Sequence, residues 1–192
     1  VRGEGHGPTA EGDAAVEFDG WTFVDPASWN TTAGQDRVQF TKGTGVIAVG
    51  DSDEYDDRAD AKFNASLATP EIDISRAVAD SLILTYDSSW RQEPQQGKVT
   101  VSFDGGNPVT LMELTPDTPT AYDETVLLSL NNPAGAKKAV LMWDYQGHNN
   151  WWWAIDNIKV AVADTDAPTI SIKNNENGTI TVTFEGKLQS AS

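Results

Sequence analysis

The stretch Lys98-Val-Thr-Val-Ser-Phe103 alternates polar and apolar residues without a break. Asp104-Gly105-Gly106-Asn107 follows it, and then a second strand-like run, Val109–Leu114. Side chains leave a β-strand on opposite sides in turn, so this period places Val99, Val101 and Phe103 on one face. A polar, Gly-containing turn between two such runs is a hairpin signal. The rest of the chain repeats the theme. Strand-like runs fall at Val16–Phe18, Val38–Thr41, Gly45–Val49, Lys62–Leu67, Ser81–Tyr86, Glu124–Ser129, Lys138–Trp143 and Trp152–Val162, separated by Gly, Asn, Asp and Pro. One short stretch, Ser75–Ala79, reads as helical. Ten short strands at this spacing predict an all-β chain, a β-sandwich or jelly roll.

The sandwich is expected over residues 14–163. Residues 1–13 are Gly-rich and read as a flexible lead-in. A linker-like stretch, Ala163-Asp-Thr-Asp-Ala-Pro168, precedes two further strand-like runs, Pro168–Lys173 and Gly178–Phe184, around an Asn-rich turn. They look like the start of an immunoglobulin-like module. Two strands do not make an independent domain, so residues 164–192 read as a linker and the start of a truncated neighbour in a multidomain parent. The start at Val1, without Met, reads as that of a mature or excised segment. With 39% hydrophobic residues in 192, the chain can bury a sizeable core. No apolar run approaches the roughly 20 residues that span a bilayer.

Charge and chemistry narrow the function classes. The formal net charge is −16, which disfavours nucleic acid and anionic membranes and favours hard cations such as Ca2+. The chain has no cysteine, hence no disulfide and no thiolate metal site. Of its two histidines, His6 lies in the lead-in and His148 in a turn, with no Gly-x-Ser-x-Gly elbow beside it. Phosphate loops, dinucleotide fingerprints and His-x-x-x-His patterns are missing. Acidic pairs are plentiful, but 29 acids generate many by chance. A non-catalytic module is expected. Three glycosylation-type sequons, at Asn30, Asn64 and Asn177, are short patterns of little weight.

Two constellations remain. The acidic run from Asp51 through Asp53 to Asp60 offers several oxygen ligands in one loop, although its spacing is not that of an EF-hand. Its alternative is a solvated loop that blunts a sheet edge. Glu17, Asp19 and Asp156 compete as cation ligands, because the first and last strands could meet in space. The second constellation is Trp151-Trp152-Trp153-Ala-Ile-Asp156. Alternation sets Trp152 against Trp151 and Trp153. Continued from Ile158, Val160 and Val162, it makes Trp152 and Asp156 inward-facing. An inward carboxylate needs a cation, hydrogen bonds or a bulge that resets the register. An exposed Trp face suits sugar rings, and His148, Asn149 and Asn150 adjoin it, with Tyr145 just upstream. Trp90 and Arg91, at the end of another strand, offer a second wall. The competing role for these aromatics is core packing.

Phe18-Asp-Gly-Trp21, Ala68-Thr-Pro-Glu-Ile72, Leu82–Trp90, Val101–Gly106 and Trp153-Ala-Ile-Asp-Asn-Ile158 occur in that order. The order resembles jelly-roll domains of the MAM and cleaved-adhesin type, and accessory domains of secreted bacterial enzymes. The resemblance covers roughly residues 14–163. It implies a Ca2+-stabilised extracellular jelly roll without catalytic machinery, of a kind that acts as a carbohydrate-binding or adhesive module, with Asp156 near the ion. The chain is expected to be a monomer that binds polysaccharide for a parent enzyme. Asp25-Pro-Ala-Ser-Trp29 departs from the Gly-Asp-Gly-rich loop of cleaved-adhesin domains. The alternative is an adhesive or structural spacer, which would bury its tryptophans.

Overall fold

A computed structural model describes residues 18, 20–55, 63–163, 169–175 and 179–185. Glu17, Asp19 and the acidic residues after Tyr55 therefore lie outside the described residues, as does most of the expected first strand. The chain divides into two compact units, Val1–Ala161 and Val162–Ser192.

The first unit is a β-sandwich of jelly-roll type. One sheet contains β1 (Thr22–Val24), β2 (Ile47–Asp51), β10 (Trp152–Val162), β5 (Leu82–Trp90) and β8 (Ala121–Ser129), in that spatial order. The other runs β3 (Phe63–Ala68), β9 (Lys138–Gly147), β6 (Gln96–Phe103) and β7 (Val109–Leu114), with β4 (Ile72–Asp73) pairing further along β9. All described pairings are antiparallel. The hairpin β6–β7 turns where the sequence places it: Asp104 and Gly105 both take positive φ, and Gly106 N–H closes on Phe103 C=O at 2.8 Å. The inner faces meet in an aromatic core. Tyr86 of one sheet meets Trp143 of the other edge-on at 5.6 Å between centroids. Val99, Val101, Leu84 and Leu141 are fully buried around them.

Two expectations are corrected. Ser75–Ala79 is not helical; Ile72–Asp73 just before it pairs with β9, and the chain then turns. Val38–Thr41 is not a strand, because a 3-10 turn covers Arg37–Gln39. The helix lies instead at α1, Pro26–Ala33, where the Asp25 side chain accepts from the N–H groups of Ala27 and Ser28 and Pro26 opens the first turn. This excursion between β1 and β2 covers the outer face of the β1-β2-β10-β5-β8 sheet at Trp152. A four-residue helix, α2 (Ser52–Tyr55), follows β2.

The second unit contains the antiparallel pair β11 (Thr169–Asn174) and β12 (Ile180–Glu185). Asn175 N–H donates to Thr179 C=O at 2.8 Å across the turn.

Candidate functional site

The Trp strand is buried on both faces. Trp153 points between the sheets, 5.7 Å from Trp21 and 6.1 Å from Trp90 by ring centroids, over the bare Cα of Gly97 in β6. Trp152 points to the other face, beneath α1, where Trp29 meets it edge-on at 5.6 Å. The two indole N–H groups donate to neighbouring hydroxyls of β5, Trp153 to Ser88 and Trp152 to Ser89. Six of the seven tryptophans are buried. Trp90, Trp153 and Tyr145 are therefore core residues and form no sugar platform. Trp151 is half-buried, and the Arg91 guanidinium lies 3.4 Å from its ring centroid, which leaves no bare face on that side.

The inward set of β10 is also corrected. Trp153 and Ile155 face the other sheet, whereas Trp152, Ala154 and Asp156 lie on the outer face. Asp156 is half-buried and accepts from Thr44 N–H at 2.9 Å. The left-handed φ of Asn157 then breaks the alternation, and Ile158 is exposed. Hydrogen bonding and a register break thus account for this acid.

Asp51 and Asp53 are not open oxygens. Arg37 grips Asp51 with two donors, Nε to Oδ2 at 3.0 Å and Nη2 to Oδ1 at 3.1 Å, and reaches Asp53 at 2.9 Å. Trp29 Nε1 adds a donor to Asp51 Oδ2 at 2.8 Å. Arg37 and Asp51 are both fully buried, and the Arg37 plane lies over Trp152 at 4.5 Å. Burial lowers the Arg37 pKa, but the two carboxylates outweigh it and hold it above its ordinary value. The acidic run thus begins as a buried ion pair that pins the excursion to the sheet. Among the described residues no group of three acids or histidines converges on a cation position.

The polar residues before the Trp run belong elsewhere. His148 and Asn150 line an open cleft of about 590 Å3 on the outer side of the β3-β9-β6-β7 sheet, with Asn64, Gln96, Gln146 and Pro94. Asn149 takes a left-handed φ in the exposed turn. Asn150 is held by Glu93, its Nδ2 donating at 3.2 Å. An adjoining hollow of about 250 Å3 shares Gln96 and Gln146 and continues past Lys98 and Asp144 to Glu113. Together they form one groove.

Strand register explains its floor. Asn64 of β3 lies opposite Gln146 of β9, which lies opposite Gln96 of β6. Buried Phe63, Tyr145 and Gly97 alternate with them and face inward. Three side-chain amides therefore stand in a row across the sheet, at the spacing of about 4.8 Å between strands. The side-chain amides of Gln96 and Gln146 have no hydrogen-bond partner among the described residues. A parallel charged row runs Ser66, Asp144, Lys98, Glu113. In it Ser66 donates to Asp144, and Lys98 Nζ stands 4.0 Å from that carboxylate. Asn64, Gln96 and Gln146 escape sequence reading because they are distant in the chain and chemically plain. Only the period-2 placement on β3, β6 and β9 could have found them.

No family model matches the chain, and no curated protein sequence matches it. Solved structures do. One is TmCBM61 in complex with beta-1,4-galactotriose, at 13% identity and TM-score 0.45, covering 76% of this chain and 90% of that one. Another is the K1 cleaved adhesin domain of Lys-gingipain from Porphyromonas gingivalis W83, at 13% identity and TM-score 0.46, covering 79% and 94%. A third is a family 16 carbohydrate binding module, at 12% identity and TM-score 0.36, covering 64% and 81%.

Proposed function

We propose that this chain is a non-catalytic module that binds polysaccharide along the groove of its β3-β9-β6-β7 sheet. The observation that carries the reading is the row of amides, Asn64, Gln146 and Gln96, flooring an open cleft of about 590 Å3. The Gln96 and Gln146 amides each offer both donors and an acceptor, which suits sugar hydroxyls that do both. A ladder at strand spacing suits a polymer that presents hydroxyls repeatedly. The volume is within the range of small-ligand clefts. The groove's carboxylates share their row with Lys98, so its chemistry reads as recognition rather than hydrolysis.

Affinity electrophoresis against neutral plant and algal polysaccharides tests this. Retardation by at least one is expected, without release of reducing sugar. Retardation by none sinks the reading.

A second reading, an adhesive or structural spacer in a larger secreted protein, is favoured by one observation: six of seven tryptophans are buried, as a spacer requires. It predicts no glycan binding at all.

A further inference from the structure

We infer that the groove admits neutral glycans and turns away acidic ones, and that the row Asp144–Lys98–Glu113 is the filter; this rests on the polysaccharide reading above. The amide row and the charged row are neighbours on one sheet face, two residues apart along each strand. A chain lying on Asn64, Gln146 and Gln96 therefore has its flank against Asp144, Lys98 and Glu113. Register puts Lys98 between the two acids, directly opposite each. Its ammonium is 4.0 Å from Asp144 and cannot neutralise both carboxylates. Among the described residues, two carboxylates thus line the groove against one ammonium. The arrangement acts within a chain of formal net charge −16, so no long-range attraction offsets it for an anionic polymer. A uronate or sulfate meets like charge at close range, which weakens the wrong partner without adding any contact to the right one. A neutral sugar meets the same carboxylates as hydrogen-bond acceptors.

The test uses the full chain in native affinity gels containing galactan, xyloglucan or galactomannan, and in parallel polygalacturonate, alginate or carrageenan. Retardation is expected in at least one neutral gel, with every acidic polymer bound at least about tenfold more weakly. Glu113→Gln, at an exposed position, and the Glu113→Gln/Asp144→Asn double variant should each narrow that gap. Raising salt should narrow it too, because screening weakens repulsion. If the double variant fails to fold, the single variant carries the test. Equal or tighter binding of an acidic polymer overturns the filter while leaving glycan binding intact. An unchanged gap in both variants overturns it as well. Binding of no polymer removes the polysaccharide reading itself.

Discussion

Arg37 shows how one side chain fixes a segment. It satisfies Asp51 from two donors, reaches Asp53 and stacks over Trp152. Removing one partner of such a buried pair leaves an uncompensated charge, typically at a cost of about 3–5 kcal/mol. Arg37→Met should therefore lower the urea midpoint sharply, whereas Arg37→Met with Asp51→Leu should recover much of the loss. The phenols of Tyr86 and Tyr145 give a second residue-scale prediction. Burial raises both above the ordinary tyrosine value, Tyr145 strongly. Folded-state pKa values above the unfolded value contribute stability that is fully present below pH about 10 and lost as pH rises beyond it. Absorbance at alkaline pH should show these two phenols ionising only as the chain unfolds. Free titration of all four tyrosines in the folded chain would contradict their burial.

At the scale of elements, close approach of the sheets depends on Gly97. A Cβ there would lie 2.9 Å from the Trp153 ring. Gly97→Val should destabilise by about 1–3 kcal/mol through overpacking, read as a lowered melting temperature. Gly105, in its open turn, should accept Asn with little loss, because Asn tolerates positive φ. The elements were unequally legible in the sequence. The strictly alternating β6 and its hairpin partner β7 were readable to within two residues. α1 was not, although Asp25-Pro26 is a helix-start signal, because eight residues with little apolar periodicity lack the pattern that separates a helix from a loop. The Arg37–Gln39 turn was misread because Val38 and Phe40 are β-favouring residues, and local propensity yields to the Asp51 partner 14 positions away.

For the whole molecule, fold class was legible because burial and alternation are local signals. The groove was not, because it is assembled by register among three strands. The tryptophans misled for a physical reason. Large aromatics fill sandwich cores as readily as they cover sugar sites, and a helix over the outer face buried even the side of β10 that alternation alone would leave in solvent. Fluorescence should report this directly: acrylamide should quench chiefly Trp151, and Trp151→Phe should remove most of the quenchable signal. Strong quenching that survives Trp151→Phe would contradict the packing. The amide row is proposed to bind sugar. Titration of a retarding neutral polysaccharide into the wild-type chain and into Gln96→Ala/Gln146→Ala tests it most directly. Both residues are exposed, so the melting temperature should hardly move. Binding should weaken by about tenfold, as expected for two or so lost hydrogen bonds. Undiminished affinity in the variant would contradict the account.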